Sequence, residues 1–310
     1  MLLRALQFSA MSLALVSCAG FIGEYGYLFE LTAHFKVFYL IASFALVLSF
    51  ALMRRWQWLT VAALCVAVNA AYVLPFYIAP REANAASSFA TLRLLHANVH
   101  VANKDYDALI RLVRAEQPDV FDVQEATRGW LGALEVLRDT YPHRLVVPNR
   151  GDQQHIALYS RLPLTEMRAA EWNESAAPSY ILARVTQGER AITILTIHAP
   201  NPPDRARTLA RNRDLAFAAN VARESAKPFV IIGDLNITMW SPYFAKLKTD
   251  GGLRDARKGF GVLPSWSPWG RLPLIPIDQC LVSPEITVRD MHTGADINSD
   301  HRPLIVELAF

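Results

Sequence analysis

Residues 227–236 read KPFVIIGDLN, and residues 298–308 read NSDHRPLIVEL. Each segment combines an apolar run rich in Val, Ile and Leu with a short polar stretch that carries acid, amide or imidazole groups. Runs of this composition, bounded by turn residues, predict β-strands. In GDLN the side chains of Asp234 and Asn236 leave the same face of an extended chain, because they are two positions apart. The two segments therefore predict strands with functional groups at their ends.

The chain from residue 91 onward alternates short apolar runs with amphipathic stretches, which is the pattern of an α/β domain. Apolar residues at helical spacing predict helices over 104–116, 127–140 and about 204–224. The other predicted strands are LRLLHANV, PDVFDVQE, RLVV, HIALYS, YILARVT, AITILTIHA and a run near 277–283.

Several of these strands end in a polar residue, and α/β folds collect catalytic groups where strand ends face one crevice. A single Asp, Asn or His at such a place is usually a turn, a helix cap or a satisfied structural residue. The ordered set is harder to explain in that way. It supplies the carboxylates, amides and imidazoles that metal-assisted cleavage of a phosphoester requires: Asn98, Glu125, His198, Asp234, Asn236, Asp278, Asp300 and His301.

The order of these residues, with the motifs Gln124-Glu125, GDLN and Ser299-Asp300-His301, resembles the endonuclease/exonuclease/phosphatase superfamily. The resemblance covers about residues 90–310. With the segments HAPNPP, PSW and PIDQCLVS it looks closest to a bacterial, YafD-like membrane branch. It implies a DNase I-like four-layer fold, in which two mixed β-sheets pack face to face and are flanked by helices. It also implies a metal-dependent phosphoric ester hydrolase.

The resemblance further implies a metal site. Glu125 would be the main ligand of a Mg²⁺ or Mn²⁺ ion, with Asn98 beside it, and Asp300 would assist the metal or orient an imidazole. One position departs from the superfamily pattern, because many relatives have His or Tyr where this chain has Gln279. That departure weakens any inference about substrate from this position, although Asp278 itself is kept.

Five residues would carry the catalytic roles that the resemblance implies. Asp234 would position and activate a water molecule, and Asn236 would hold the phosphate and a neighbouring carboxylate. His301, backed by Asp278, would stabilise the phosphoryl oxygens of the pentacoordinate state. His198 would face the phosphate or the leaving group as a second imidazole.

Other polar and aromatic residues are expected to have structural or peripheral roles. For His96 and His100, which flank Asn98, we expect a structural or substrate-edge role rather than metal ligation, and His155 is expected at the periphery of the site. For Trp266 and Trp269 we favour a packing role over an aromatic lip that would contact a base or a lipid. A solvated helix face is favoured for four arginines: Arg205, Arg207, Arg211 and Arg213.

The first 80 residues have a different composition, with six charged side chains that leave uncharged runs of 19, 17 and 25 residues. A helix needs about 20 apolar residues to cross the hydrocarbon core of a bilayer. The runs therefore predict a membrane anchor, residues 1–80, with three transmembrane helices at about 5–23, 37–53 and 57–80. A linker at 81–90 and the catalytic domain at 91–310 would follow. Less favoured alternatives are a cleaved signal peptide and a lipobox that ends at Cys18.

The charges at the helix ends favour one orientation. Arg4, Arg54 and Arg55 would lie on one side of the membrane, and Lys36 and Arg81 on the other. Loops on the cytoplasmic side carry an excess of Lys and Arg. The sequence therefore predicts a multi-pass protein of the bacterial inner membrane whose catalytic domain lies outside the cytoplasm, in the periplasm of a Gram-negative cell.

The function predicted from these observations is a membrane-anchored, divalent-metal-dependent phosphoesterase that hydrolyses a phosphodiester by in-line attack of an activated water. The substrate stays open between nucleic acid, as for a nuclease, and a lipid head group, as for a sphingomyelinase. Residues 81–310 hold 27 Lys and Arg against 26 Asp and Glu, a balance that mildly disfavours long duplex DNA. The partners expected are this substrate and the bilayer, with no obligatory protein partner. The alternative is a non-catalytic membrane scaffold that keeps the fold.

Overall fold

The computed structural model describes residues 1–79, 90–148, 154–170, 178–268 and 274–310. Within these residues the strands, numbered along the chain, form two six-stranded sheets. In spatial order the first sheet consists of β11 (Thr287–Thr293), β12 (Leu304–Ala309), β1 (Thr91–Asn98), β2 (Val120–Ala126), β4 (His155–Ser160) and β3 (His143–Pro148). The second consists of β5 (Leu164–Ala170), β6 (Tyr180–Gln187), β7 (Arg190–Ile197), β8 (Phe229–Asp234), β10 (Asp278–Val282) and β9 (Arg254–Asp255).

Both sheets are mixed. The pairs β1–β2 and β7–β8 are parallel, whereas the other pairs are antiparallel. The register places Asn98 opposite Gln124 in the first sheet and Asp278 opposite Asp234 in the second. The polar ends of the central strands are therefore aligned in each sheet.

The two sheets pack face to face, and helices cover their outer faces. The space between the sheets is filled by aliphatic residues from both, and burial of each such side chain contributes roughly 1.5–3 kcal/mol: Leu94, Ile156, Ile194, Ile232 and Val306 are examples. The helices α6 (Tyr106–Glu116) and α7 (Arg128–Leu134) pack on the first sheet, and α8 (Arg205–Glu224) and α9 (Pro242–Gly251) on the second. The predicted four-layer fold is confirmed.

The helices that pack on the two sheets begin at polar caps. The Asp105 carboxylate accepts a hydrogen bond from the backbone N–H of Ala108 at the start of α6, at 3.2 Å. The Asp204 carboxylate accepts one from Arg207 N–H at the start of α8, at 2.9 Å. Each cap satisfies a backbone donor that has no partner within its helix and contributes about 1 kcal/mol.

Residues 1–79, which we call the N-terminal helical region, contain α1 (Leu2–Ala19), α2 (Tyr27–Thr32), α3 (Lys36–Leu52), α4 (Trp56–Val73) and α5 (Pro75–Ile78). Three stretches are long and apolar enough to cross a membrane: Leu2–Tyr25, Tyr27–Leu52 and Trp56–Val73. They are candidate membrane spans by length and composition. The predicted linker at 81–90 lies outside the described residues, apart from Ala90.

The N-terminal helical region shares a core with the two-sheet fold formed by the described residues between 90 and 310. Val73 and Phe76 belong to the same buried apolar cluster as Phe229 of β8 and Phe244 of α9. The indole N–H of Trp240 donates to the backbone oxygen of Tyr72 at 3.0 Å. The end of α4 is therefore packed onto the second sheet and its helices.

Candidate active site

The end of β8 brings the backbone unusually close to its neighbours. Gly233 has a φ of 154°, and a Cβ atom there would lie 2.3 Å from the backbone oxygen of Ile197 and 2.7 Å from Nε2 of Gln124. Only glycine fits, since it has no Cβ. Gly233 therefore allows β7 and the Gln124 side chain to approach Asp234, whose N–H donates to Gln124 Oε1 at 3.1 Å.

Two carboxylates from different sheets meet at one amide. The Asn98 side chain donates from Nδ2 to Glu125 Oε1 at 3.2 Å and to Asp234 Oδ2 at 3.1 Å. Glu125 Oε2 also accepts from the backbone N–H of Val101 at 3.0 Å. Asn98 thus joins the end of β1 to both carboxylates.

Glu125 is held in a backbone conformation that side chains rarely adopt. Its φ is 59°, and such strain in a residue that is not glycine costs roughly 1–3 kcal/mol and clusters at functional sites. Burial raises the pKa of Glu125, but the charge of His198 and the hydrogen bonds from Val101 and Asn98 outweigh it and hold that pKa below its usual range. The carboxylate is therefore ionised at neutral pH.

A buried chain of alternating carboxylates and imidazoles leads to the site. His96 bonds Asp122 Oδ2 through Nδ1 and Asp278 Oδ1 through Nε2, each at 2.9 Å. His301 Nδ1 is 2.9 Å from Asp278 Oδ2, and its Nε2 is 3.6 Å from Asp234 Oδ2. We call these five residues, from Asp122 to Asp234, the carboxylate–imidazole chain.

The carboxylates of this chain raise the pKa of both imidazoles. Burial lowers the pKa of His301, but the carboxylates of Asp278 and Asp234 more than compensate and raise it to about 9. Asp122 and Asp278 likewise overcome burial and raise the pKa of His96 to about 10. Burial raises the pKa of Asp278, yet the two imidazolium groups hold it well below its usual range. His301 therefore carries a positive charge beside Asp234.

These groups border a cleft of about 620 Å³. His198 lines it, with Nε2 at 3.6 Å from Asp234 Oδ2 and 3.9 Å from Glu125 Oε1. Asp300 also lines it and accepts a hydrogen bond from the indole N–H of Trp266 at 3.1 Å. Among the described residues, three carboxylates and three imidazoles line this cleft, the third imidazole being that of His34.

The structure brings the eight predicted residues together. Six of them line the cleft: Glu125, His198, Asp234, Asn236, Asp300 and His301. The other two, Asn98 and Asp278, are buried beneath it and bond residues that line it. The Asn236 side chain donates from Nδ2 to Ala199 O at 3.0 Å, and its backbone N–H donates to Asp234 Oδ1 at 2.9 Å.

The donor atoms suit a hard divalent cation, which prefers carboxylate and amide oxygens. Ligand atoms of Asp234, Asp278 and His301 lie within 4.8 Å of one another, but both oxygens of Asp278 already accept bonds from imidazoles. Glu125 is better placed, because it is partly exposed to the cleft and shares the Asn98 amide with Asp234. Ser299 Oγ donates to Asn98 O at 2.8 Å. This bond holds the residue that precedes Asp300 at the end of β1.

One prediction about the arginines is wrong. Arg205, Arg207 and Arg213 are exposed, as a solvated helix face requires, but Arg211 is completely buried. Its Nη2 lies 3.1 Å from Glu30 Oε1, and its Nη1 donates to the backbone oxygen of Asn236 at 3.2 Å. The reason is that α2 covers this side of α8 and supplies a buried carboxylate. Glu30, an acid within an apolar stretch, was the available sequence signal.

The remaining expectations have mixed outcomes. His155 is buried and bonds Ala126 O through Nδ1 at 3.0 Å, beside Glu125 at the carboxyl end of β2. Trp266 is half-buried and lines the cleft, so packing is not its whole role, and Trp269 lies outside the described residues. Gln279 is buried, and its Nε2 donates to Ile237 O and Pro276 O, each at 2.7 Å. Gln279 therefore has a structural role.

Comparisons with known proteins agree with this geometry. The model of the Endonuclease/Exonuclease/phosphatase family matches residues 95–301. No curated protein matches the chain.

Among solved structures, an endonuclease/exonuclease/phosphatase from Beutenbergia cavernae is 20% identical, with a TM-score of 0.59, over 71% of this chain and 72% of that one. TDP2 from D. rerio, complexed with a single-strand DNA product, is 15% identical, with a TM-score of 0.60, over 71% and 99%. The 3′ phosphatase NExo from Neisseria, bound to a product DNA hairpin, is 16% identical, with a TM-score of 0.58, over 69% and 98%. At these identities the similarity establishes the fold.

Proposed function

Because the chain belongs to the endonuclease/exonuclease/phosphatase family, we propose that it is a membrane-anchored, divalent-metal-dependent phosphoesterase that hydrolyses a phosphodiester by in-line attack of water. The observation that carries the proposal is the convergence of Glu125, Asp234 and the protonated His301 on one cleft. A carboxylate that binds a cation, a carboxylate that accepts a proton and a cationic imidazole are the groups that this reaction requires.

Glu125, Asn98 and Asp300 would hold the metal ion. When bound, the ion supplies positive charge that polarises the phosphoryl group and neutralises developing negative charge. Asn98 also fixes the relative position of Glu125 and Asp234, because its amide bonds both carboxylates. Burial of Asn98 beneath the cleft keeps this spacing constant.

Asp234 accepts the proton of the attacking water. Each carboxylate oxygen accepts one amide hydrogen bond, Oδ1 from the backbone N–H of Asn236 and Oδ2 from Asn98 Nδ2. Oδ2 also faces two of the imidazoles that line the cleft, so we assign the proton to Oδ2. His301 donates from Nε2 to a phosphoryl oxygen, where charge accumulates in the transition state. Asp278 holds the His301 ring through Nδ1, and His198 and Asn236 bind the phosphate or the leaving group.

The test uses the full chain in lipid nanodiscs, because the N-terminal helical region shares a core with the catalytic fold. Bis(p-nitrophenyl) phosphate, p-nitrophenyl phosphate and single-stranded DNA are offered with Mg²⁺, Mn²⁺ or EDTA. We expect hydrolysis of the diester with either metal and none with EDTA. No turnover of any substrate with any metal would favour the scaffold alternative.

Replacement of Glu125 by glutamine is expected to cause a partial loss of activity and a raised metal requirement. The change removes one anionic ligand, while the other oxygen donors of the site remain. Titration of activity with Mg²⁺ measures both effects, and Glu189→Gln, at an exposed turn, is the matched control. An unchanged metal requirement would contradict the role given to Glu125.

For the membrane orientation, we propose that the N-terminus and the Arg54–Arg55 turn are cytoplasmic and that residues 91–310 lie outside the cytoplasm of a bacterial cell. Two contacts support three crossings. His34, in the segment between α1 and α3, bonds Thr238 at 2.9 Å, and Tyr72, at the end of α4, bonds Trp240 at 3.0 Å. The start of α3 and the end of α4 thus lie on the side of the catalytic fold. The exposed Arg54 and Arg55, in the turn between these two helices, lie at the opposite end.

Fusions to the C-terminus test this orientation in a bacterial host. Alkaline phosphatase folds into its active form outside the cytoplasm, so we expect the alkaline phosphatase fusion to be active. A GFP fusion is expected to be dark. The reverse pattern of activity and fluorescence would overturn the orientation and place the substrate in the cytoplasm.

A further inference from the structure

The cleft has a wall that does not come from the catalytic fold. Leu31, His34 and Phe35 line it together with Glu125 and Asp234. These three residues belong to the segment that joins α1 to α3, and they lie near the start of a candidate membrane span, Tyr27–Leu52. The part of the chain that meets the bilayer therefore also borders the reacting groups.

Buried polar contacts fix this segment to the catalytic fold. Glu30 is completely buried, and its Oε1 accepts from Ser241 Oγ at 2.6 Å and lies 3.1 Å from Arg211 Nη2. His34 Nδ1 is 2.9 Å from Thr238 Oγ1. A carboxylate is buried at such a place only when it is paired and hydrogen-bonded. The wall is therefore a permanent part of the cleft.

The side chains that face one another across the cleft are mainly apolar beyond the reacting groups. The apolar residues of the lining are Leu31, Phe35, Pro202, Pro203, Trp266, Ile275 and Ile277. Among the described lining residues one lysine or arginine occurs, Arg207, against three carboxylates. A nucleic acid strand needs a series of cationic contacts to its phosphates. This lining instead suits an apolar chain attached to one phosphate.

The same segment exposes large apolar side chains, and one of them, Phe35, also lines the cleft. Exposed fractions are 55% for Phe21, 45% for Ile22, 62% for Leu28, 43% for Phe29 and 40% for Phe35. A concentration of such residues marks a membrane interaction site. Because Phe35 is both exposed and part of the cleft lining, the lining is continuous with the surface that would meet a bilayer.

We propose that the substrate is an amphiphilic phosphoester of the bilayer whose apolar chain lies along Leu31, Phe35 and Trp266 while its phosphate reaches Asp234 and His301. The proposal rests on the proposed phosphoesterase function and specifies its substrate class. In the reaction the water oxygen bonds to phosphorus, the bond from phosphorus to the leaving alcohol oxygen breaks, and that oxygen takes up the proton that the water lost to Asp234.

The test compares two diesters that share a chromogenic leaving group, methyl p-nitrophenyl phosphate and dodecyl p-nitrophenyl phosphate, on the full chain in nanodiscs. Each buried methylene contributes about fourfold in binding, so we expect kcat/KM for the dodecyl ester to exceed that for the methyl ester by at least roughly tenfold. The double variant Leu31→Ser/Phe35→Ser should lose most of this ratio, because kcat/KM for the dodecyl ester falls more than that for the methyl ester. The control Leu28→Ser changes an exposed residue of the same segment that lines a separate groove.

The outcomes separate the two proposals. A chain-length preference that falls in the double variant and persists in Leu28→Ser supports the amphiphile. If wild type, the double variant and Leu28→Ser all show the same ratio of dodecyl to methyl kcat/KM, the preference reflects partitioning into the nanodisc and the amphiphile proposal is overturned. Faster cleavage of single-stranded DNA than of the dodecyl ester would also overturn it. Turnover of neither diester with Mg²⁺ or Mn²⁺ overturns the phosphoesterase function itself, and this inference with it.

Discussion

Replacing Asp234 by asparagine is expected to lower kcat for diester hydrolysis by about 10²–10⁴, the usual contribution of a positioned general base. The amide keeps the volume of the carboxylate, but it is not basic enough to accept the proton that the attacking water gives to Oδ2 of Asp234. Because Asp234 lies at the end of a buried strand and makes its backbone contacts through N–H and C=O groups, the fold should be retained. Initial rates with saturating Mg²⁺ measure the effect.

The matched control for this variant is Asp290→Asn, at an exposed position on β11. Circular dichroism spectra and thermal melting of both variants verify folding. Wild-type turnover by Asp234→Asn would remove Asp234 from the reaction and, with it, the proposed route of the proton.

Replacing His301 by alanine is expected to lower kcat by about 10²–10³, as the loss of a single donor to a transition-state oxyanion does. The carboxylates of Asp278 and Asp234 raise the pKa of His301 to about 9 despite burial, so the variant also removes a positive charge from the cleft. The affinity for a divalent metal should change little, because Glu125 and Asn98 remain.

A comparison of kcat with KM distinguishes this role from simple substrate binding. A donor that acts in the transition state lowers kcat and kcat/KM together, whereas a ground-state contact raises KM. His292→Ala, on the exposed part of β11, serves as the control. An effect of His301→Ala confined to KM would contradict the role in transition-state stabilisation.

The polar strand ends could be predicted from the sequence because strand length and apolar composition show where each strand stops. Asp234 is the last residue of β8 and Asn236 lies just beyond it, as expected, whereas Asp278 is the first residue of β10 and does not follow a strand. The carboxylate–imidazole chain was not predicted as a unit. Asp122 lies in the middle of an apolar strand, and its bond to His96 depends on the pairing of β1 with β2.

The contact between the N-terminal helical region and the active-site cleft could not be predicted either, because it also depends on packing between distant parts of the chain. Glu30 and Arg211 are 181 positions apart in the sequence, and each alone is typical of a loop or a helix surface. Their pairing depends on the packing of α2 against α8. The strands β5 and β11 and the helix α9 were also missed, since exposed strands lack a strong apolar run and α9 is short. The Ser241-Pro242 pair that begins α9 was a usable signal.

The central claim, that water attacks phosphorus at this site, is tested most directly by hydrolysis in H₂¹⁸O. The full chain in nanodiscs would cleave bis(p-nitrophenyl) phosphate with Mg²⁺, and both products would be analysed by mass spectrometry. Attack on phosphorus predicts one ¹⁸O atom in the p-nitrophenyl phosphate and none in the p-nitrophenol. Label in the p-nitrophenol would show cleavage of the carbon–oxygen bond and would contradict the account.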